Sequence, residues 1–314
     1  MAQPTNTYSS YDAIGNREDL ADFITMISPT ATPFQSGISK TVATATNHEW
    51  QTDELAAETD ANAVIEGDEA TTDASTATVR LGNYTQILDK VARVTGTQRA
   101  NDSAGRADEM DYQMMKRTKE IKRDLEKSLL ANKAKVAGND TTARVLAGVE
   151  SWLATNTDLG GTGAAPTGDG TDTRTTGTDR AFAESQVKSV IASCWDEGGE
   201  PDMIMVPSNL KQDFSAFTGN SSARQNIDVS QKTLSNVIDF YISDFGTMQV
   251  VPNRFMVSES CLILEMDKWS LAELRPYQSH DLAKTGDTDR KQLLMEVTLV
   301  SKNEKASGIV SDLS

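Results

Sequence analysis

The sequence predicts an α+β fold organised around one long helix and one long hairpin. Three observations predict it. Residues 107–135 carry the apolar periodicity of a helix, residues 38–99 are rich in the Thr, Val and Trp that favour strands, and the second half alternates short helices and strands irregularly. With a mean hydropathy of −0.44 and 38% hydrophobic residues over 314 positions, the composition indicates a subunit with much exposed surface or one that buries area against neighbours.

The N-terminal segment predicts an arm followed by a short helix. Residues 1–17 are polar and poor in helix formers, so we expect an extended, weakly anchored arm. An amphipathic helix follows and ends at Ser28 and Pro29, and a turn-rich connector covers residues 28–34. The apolar positions of this helix are Leu20, Phe23, Ile24 and Ile27.

Two strand-like segments enclose an acidic one. Residues 41–52 and 78–95 have strand composition, whereas residues 53–75 are strongly acidic with almost no large apolar side chains. A segment of this kind is unusual inside a compact domain. We therefore predict a long hairpin that projects from the body and carries a mobile acidic tip. Since an isolated two-stranded hairpin is only marginally stable, we expect it to lie on a partner.

The long helix is predicted to act as a strut. At ~1.5 Å per residue, residues 107–135 would span roughly 43 Å. Asp102 and Ser103 are the N-cap candidates, and Gly138 offers a left-handed stop. Glu126 is assigned to the solvated, charged face. The apolar stripe on the opposite face consists of Met110, Met114, Ile121, Leu125 and Leu129.

The second half reads as a compact lobe. Trp152 anchors a short ordered link, and the glycine-rich residues 154–180 are predicted to form a flexible surface loop. We expect helices at residues 181–197, stopped by Gly198 and Gly199, and from Ser208 onward, with a polar loop at 218–228. The predicted strands are residues 203–206, 237–242, 248–251, 261–266 and 293–300, with a hairpin turn at 243–246.

Charge and cysteine content exclude several classes of protein. The net charge of −16 argues against a broad grip on nucleic acid phosphates or on an anionic membrane. No apolar run approaches the ~20 residues of a membrane span, and the N-terminus lacks a secretory signal pattern. Cys194 and Cys261 read as reduced, buried thiols, and His48 and His280 are each isolated from any Cys or His, which disfavours zinc.

No motif predicts a catalytic, cofactor-binding or metal site. Residues 244–246 match the kinase metal-binding tripeptide without its companion motifs, so a turn is favoured. Residues 160–163 fail the dinucleotide fingerprint. Asp169 and Asp172 hint at calcium with the wrong spacing, which leaves a weak loop cation site as an open alternative. His48 and Glu49 point to opposite faces of a strand, so they do not form a base and its orienter.

Eight short segments, spread over most of the chain, form one ordered set. They are YDAIGNRED at 11–19, ISPTATPF at 27–34, HEWQTD at 48–53, PDMIMV at 201–206, SDFGT at 243–247, VPNRFM at 251–256, LAKTGD at 282–287 and NEKASGI at 303–309. This set resembles one group of tailed-bacteriophage major capsid proteins, in the same order from residue 11 to the C-terminus. The resemblance departs in the glycine-rich segment at residues 160–177.

This resemblance implies the Hong Kong ninety-seven capsid fold, in which an N-terminal arm, an extended hairpin loop, a long spine helix, a peripheral domain and an axial domain follow one another. We expect the arm at 1–37, the hairpin loop and its base at 38–100, the spine helix and peripheral domain at 101–180, the axial domain at 181–260 and returning strands at 261–314.

The implied function is a non-enzymatic major capsid protein that self-assembles into the icosahedral head around double-stranded DNA. The implied partners are further copies in hexamers and pentamers, portal, scaffolding and decoration proteins, and packaged DNA bound without sequence specificity, with no membrane. The protein would be made in a bacterial cytoplasm and reside in the virion. A same-fold bacterial nanocompartment shell is the alternative, and an enzyme is a more distant one.

Overall fold

The computed structural model describes residues 28–69, 75–101, 105, 107–217 and 239–314. The N-terminal arm, the helix expected at its end and the polar loop at 218–228 lie outside these residues. The helices are α1 (Pro33–Gly37), α2 (Gly96–Ala100), α3 (Glu109–Leu129), α4 (Glu184–Asp196) and α5 (Ser208–Ser215). The strands are β1 (Ser39–Val42), β2 (Asn47–Thr52), β3 (Val79–Tyr84), β4 (Gln86–Thr95), β5 (Thr157–Asp158), β6 (Met203–Val206), β7 (Phe240–Ser243), β8 (Gly246–Pro252), β9 (Cys261–Leu264), β10 (Trp269–Leu282), β11 (Thr288–Ser301) and β12 (Gly308–Val310).

A four-stranded sheet in the order β1-β10-β11-β4 supports the long helix α3. Strand β1 runs parallel to β10, and the other pairs are antiparallel. Ile121, Leu125 and Leu129 of α3 share one buried core with Met295 and Val297 of β11. The apolar stripe of the helix is therefore what fixes it to this sheet.

Strand β10 was not predicted from the sequence. Its first four residues are buried, whereas Arg275 and the residues after it are largely exposed. The pairing with β11 shifts register twice, between Glu273 and Arg275 and between Arg275 and Gln278. An exposed strand with irregular register around Pro276 lacks the alternation that identifies strands in a sequence.

The second large sheet has six strands in the order β5-β12-β9-β6-β8-β7. Helix α4 contacts β12, β9 and β5. The hydrophobic core between this sheet and its helices includes Val187, Ile191, Ile204, Phe214 and Ile263. The helices and strands that the sequence predicts here are confirmed within one to three residues, and Gly198 has the positive φ of +86° that ends α4. The β7–β8 turn at Asp244 and Phe245 is also confirmed.

Helix α3 is shorter than predicted. Its 21 residues span about 31 Å, and its N-cap is Asp108, whose carboxylate accepts a hydrogen bond from the amide of Met110. The helix ends at Leu129 because the backbone beyond it bonds elsewhere: the Lys133 carbonyl accepts from Gly148 N, and Lys135 N donates to the Gly170 carbonyl. Gly138 does have φ +72°, but in a turn that follows the helix.

Residues 154–180 are not the flexible surface loop that their glycine content predicts. Arg174 is 3% exposed at the centre of this segment, and Asn132 bonds its backbone on both sides. Gly170 has φ +76°, and its Cα faces the ring of Trp152 so closely that a Cβ would lie 2.8 Å from it. Glycine here serves close packing rather than mobility.

Candidate assembly surfaces

The β2–β3 hairpin is anchored at its base by aromatic and amide contacts. Trp50 packs on the buried Trp152 with ring centroids 5.4 Å apart. The fully buried Asn83 donates to the carbonyls of Ala147 and Leu299 and accepts from the amide of Ala147. Lys135 donates to the Gly82 carbonyl. The base therefore belongs to the body of the protein, as the strand pairing from Asn47↔Tyr84 to Thr52↔Val79 requires.

Beyond Thr52 the hairpin leaves the body. Leu55 is 98% exposed, Val64 83% and Ile65 78%, which are far higher values than those of any core residue. Between residues 53 and 78 the sequence holds eight carboxylates and no Lys, Arg or His. Glu54 alone among the described residues of the tip pairs with a cation, Lys305, at 3.0 Å. Apart from this pair, no ion pair joins residues 53–69 and 75–78 to the rest of the described chain.

Glu126 joins the N-terminal helix α1 to α3. Its carboxylate accepts hydrogen bonds from the amides of Phe34 at 2.8 Å and Gln35 at 2.9 Å, and from the side-chain amide of Asn253 at 2.7 Å. The prediction that Glu126 lies on the solvated face is wrong, because the residue is fully buried. A spacing pattern cannot distinguish a surface carboxylate from one that caps a second helix.

Two opposing effects act on this carboxyl group. Burial raises the pKa of Glu126, and the hydrogen bonds from Gln35, Phe34 and Asn253 lower it, with burial the larger effect. The side chain thus fixes where the chain enters the body. It does so with amide donors, and no ion pair of the described residues involves it.

Arg174 holds a second buried cluster together. Its guanidinium lies 2.7 Å from Asp312 and 3.3 Å from Glu150, and all three side chains are at most 1% exposed. Burial raises the pKa of Glu150. Burial also acts to raise the pKa of Asp312, but the amides of Gly177 and Gly160 together with Arg174 outweigh it and hold that pKa below its usual value. The cluster ties residues 160–177 to the strand β12 region.

An exposed aromatic pair marks one end of the six-stranded sheet. Trp195 of α4 and Phe245 of the β7–β8 turn have ring centroids 5.3 Å apart and are 52% and 43% exposed. Phe240 and Ile242 of the edge strand β7 are also exposed, at 56% and 47%. This patch adjoins a groove of about 430 Å³ along α4.

The side chains singled out by motif have local structural roles. His48 lies on β2 opposite Asn83, and burial lowers its pKa. Asp169 and Asp172 accept hydrogen bonds from Thr167, and Asp169 also from Thr171. No three His, Cys, Asp or Glu side chains converge on a metal-sized site within the ranges that the structure describes.

The two cysteines are free and buried. Burial raises the pKa of the Cys194 thiol to about 12 and raises that of Cys261 as well, so both thiols are protonated at neutral pH. Among the helices that the structure describes, none is long and apolar enough to cross a membrane.

The whole arrangement matches solved phage capsid subunits. The chain superposes on the cyanophage A-1(L) capsid subunit with a TM-score of 0.69 at 13% identity, covering 95% of this chain and 97% of that one. The match to the Microbacterium phage Oxtober96 protein has a TM-score of 0.63 at 14% identity, covering 98% and 99%. These matches define the fold class, which is the Hong Kong ninety-seven fold of those subunits.

Sequence comparison identifies the family. The SU10 major capsid protein family matches residues 3–314. The major capsid protein of Escherichia phage Phieco32 is 30% identical, with 99% of this chain and 97% of that protein covered. The chain belongs to the SU10 major capsid protein family, and it is a major capsid protein of a tailed phage and a component of the virion head. These relatives confirm the phage capsid and give no support to the nanocompartment alternative.

Proposed function

We propose that this chain closes an icosahedral head around double-stranded DNA by forming hexamers and pentamers of itself. The projecting β2–β3 hairpin carries this proposal: its base is buried in the body, while its tip is almost fully exposed and has one ion pair within the described chain. A segment with so few stabilising contacts inside its own subunit obtains them from neighbouring subunits. Many modest contacts of this kind add up over a closed shell.

We propose that the subunit is divided into the regions that its resemblance to this fold family implies. We propose residues 1–37 as the arm, 38–100 as the hairpin loop and its base, 101–180 as spine helix and peripheral domain, 181–260 as axial domain, and 261–314 as strands that return to both. The four-stranded sheet with α3 and the separate six-stranded sheet with α4 support this division.

We further propose that the chain has no catalytic role and acts with other head components: a portal, a scaffolding protein and decoration proteins. Its net charge of −16 suits a wall that confines DNA without adhering to it over a broad face. The exposed Trp195–Phe245 patch at the end of β7 suits a contact between copies.

Electron microscopy of the purified chain tests the proposal. We expect shells, tubes or capsomers over a range of protein concentration and salt, with or without added scaffold. A chain that remains monomeric by light scattering under all these conditions would contradict it.

A further inference from the structure

The buried cluster around Arg174 has more carboxyl groups than its one cation can neutralise. The guanidinium lies 2.7 Å from Asp312 and 3.3 Å from Glu150, and all three side chains are at most 1% exposed. If both carboxyl groups were ionised, one negative charge would remain unbalanced in a part of the protein that solvent hardly reaches. An unbalanced buried charge is unfavourable, and a bound proton or a bound cation removes it.

Arg174 does not serve the two carboxyl groups equally. Asp312 has the shorter contact, and its carboxylate also accepts a hydrogen bond from the amide of Gly160 at 2.9 Å. Asp312 has φ +59°, a left-handed conformation that non-glycine residues seldom adopt and that these contacts hold in place. Burial acts to raise the pKa of Asp312, but its hydrogen bonds and Arg174 outweigh burial and keep that pKa below its usual value. Asp312 is therefore the ionised partner of Arg174.

Glu150 has one oxygen without a hydrogen-bond partner among the described residues. This atom, Oε1, is buried, and so is the hydroxyl of Ser260, which also has no partner there. Ser260 precedes β9 and lies close enough to the Glu150 carboxyl group to affect its pKa. The antiparallel register of β12 and β9 places Ser311, a second buried hydroxyl of the same kind, opposite Ser260. A proton on Oε1 would make this oxygen a donor, and a hydroxyl oxygen can accept from it.

The surroundings of Glu150 favour its neutral form. Burial raises the pKa of this carboxyl group and Asp312 raises it further, whereas Arg174 and Ser260 lower it, with burial the larger effect. Arg174 and Asp312 are the charged groups that act on Glu150. Arg180, which contacts the Ser311 carbonyl, is partly exposed and is paired with Asp158 at 2.7 Å.

We propose that Glu150 binds a proton in the folded subunit, with Oε1 as a donor toward the hydroxyl of Ser260, and that this proton holds residues 160–177 and 311–314 to the body. The proton is taken from solvent. A metal cation suits the site less, because hard cations need several oxygen ligands and the positive guanidinium of Arg174 lies 3.3 Å from Glu150. All of these contacts lie within one subunit, so the inference does not depend on the proposed assembly.

The site joins two segments, so its proton controls both of them. The amide of Arg180 donates to the Asp312 carbonyl, and the amide of Ser314 donates to the Arg180 carbonyl. Ionisation of Glu150 would leave two carboxylates facing one cation and would loosen this contact. The stabilisation by the proton is complete below the ordinary pKa near 4.5 and is lost as the pH rises through the raised folded-state pKa.

Hydrogen exchange read by mass spectrometry tests the effect of the proton. The native chain is compared with Glu150→Gln, whose amide resembles the neutral acid, and with the control Glu200→Gln, an exposed glutamate outside the ion pairs of the described residues. After correction for intrinsic rates, we expect exchange of residues 160–177 and 308–314 to accelerate from about pH 5 to about pH 8 in the native and control chains, by at most about tenfold per pH unit.

Glu150→Gln should show no such acceleration, because it has no proton to lose at this position. The same pH dependence in the native chain and in Glu150→Gln would overturn the inference. A Glu150→Gln chain that does not fold would also overturn it, since the charged carboxylate would then be what the site requires.

Infrared spectroscopy detects the protonated carboxyl group itself. At pH about 5.5, where exposed glutamates are mostly ionised, subtracting the spectrum of Glu150→Gln from that of the native chain should leave a carboxylic acid band that shifts with ¹³C-labelled glutamate. In Asp312→Asn, Glu150 has to balance Arg174, so we expect this band to disappear. A difference spectrum without the band, or a band that Asp312→Asn leaves unchanged, contradicts the proposal. If Asp312→Asn does not fold, the first difference spectrum decides alone.

A bound monovalent cation is the competing occupant of the site. Sodium is replaced by choline at constant ionic strength, and exchange of residues 160–177 is measured again. If the replacement accelerates exchange in the native chain but not in Glu150→Gln, a cation occupies the site and the inference is wrong. Exchange that does not respond to sodium supports the proton.

Discussion

Glu126 holds α1 against α3 through three hydrogen bonds, so both its shape and its charge matter. Glu126→Lys should destabilise the fold by more than about 3 kcal/mol, because an ammonium group would face three amide donors in a buried position. The control is Asp124→Lys, which removes a half-exposed surface pair with Lys90 and should cost under about 1 kcal/mol. Urea denaturation of both variants measures the difference. Equal midpoints would show that the α1 contact contributes nothing.

The pH dependence of Glu126 can be isolated with a neutral isostere. The pKa of the Glu126 carboxyl group is higher in the folded state than in the unfolded state, so on acidification the folded state takes up this proton at a higher pH. Glu126 therefore increases the free energy of unfolding as the pH falls from the raised folded-state pKa toward the ordinary glutamate pKa near 4.5. This stabilisation is lost as the pH rises through the folded-state pKa. Glu126→Gln lacks this effect.

We expect the stability deficit of Glu126→Gln relative to the native chain to be larger at pH 5 than at pH 7.5, as measured by denaturant midpoints. Other titrating groups cancel in this difference because both chains share them. A deficit that shrinks on acidification would mean that the hydrogen bonds to the carboxylate, rather than burial, control its pKa.

At the scale of elements, α3 depends on its apolar stripe. Leu125 is 1% exposed, with Ile121 and Leu129 one turn away on either side. Leu125→Asp should cost several kcal/mol because it buries an unpaired carboxylate. The control Lys122→Gln lies on the exposed side of the same helix and should change stability by no more than about 0.5 kcal/mol. We expect the Leu125 variant to be insoluble or unassembled rather than to form particles of altered size, as scored by soluble yield and microscopy.

The segment at 154–180 depends on one guanidinium. Arg174→Met removes the cation from between two buried carboxylates, Glu150 and Asp312, and should cost about 3–5 kcal/mol. Lys188→Met, which removes an exposed pair with Glu184 on α4, should cost under about 0.5 kcal/mol. Thermal melting of the two variants measures both effects. If they melt alike, the cluster does not anchor the segment.

Sequence periodicity predicted the elements whose apolar face is regular. The stripe of α3 and the helices α4 and α5 were found because their buried positions recur at helical intervals. The strands β6 and β9 were found because each is a short continuous apolar run. The C-terminal end of α3 was not predicted. The Lys133 carbonyl accepts hydrogen bonds from Gly148 and Ser151, and the Lys135 amide donates to the Gly170 carbonyl, so contacts with later segments decide where the helix stops.

The buried polar residues could not be predicted from sequence periodicity. Glu126, Asn83 and Arg174 each bond groups more than 20 residues away in the chain. A sequence shows such a residue only as one more polar position among others. Exposed segments are easier to predict than buried polar contacts. The acidic tip and the projecting hairpin could be predicted because the composition of residues 53–75 includes few large apolar side chains that could be buried in a core.

At the scale of the whole molecule, the hairpin tip is separable from the fold. Removing residues 53–75 leaves three residues between Thr52 and Val79, which pair across β2 and β3. A loop of that length closes a hairpin, so we expect the body to fold with unchanged thermal stability and circular dichroism.

The same deletion should abolish or strongly reduce particle formation, as seen by light scattering and electron microscopy. Removing Asp140 and Thr141, two exposed residues of another turn, provides a comparison for general damage by loop shortening. A tip deletion that unfolds the body would contradict the projecting hairpin, and one that assembles normally would show that the tip contributes nothing to the shell.

Strand order in the six-stranded sheet also has a consequence for synthesis on the ribosome. Strand β12 pairs with both β5 and β9, and Asp312 just beyond it meets Arg174. The sheet therefore cannot close until about 150 further residues have followed β5 out of the exit tunnel, which takes roughly 8 to 30 s at about 5–20 residues per second. The hairpin strands β2 and β3 emerge well before then. Nascent chains on one polysome thus expose their β2–β3 hairpins while the six-stranded sheet is still incomplete. The delay allows neighbouring nascent chains to associate before they have folded.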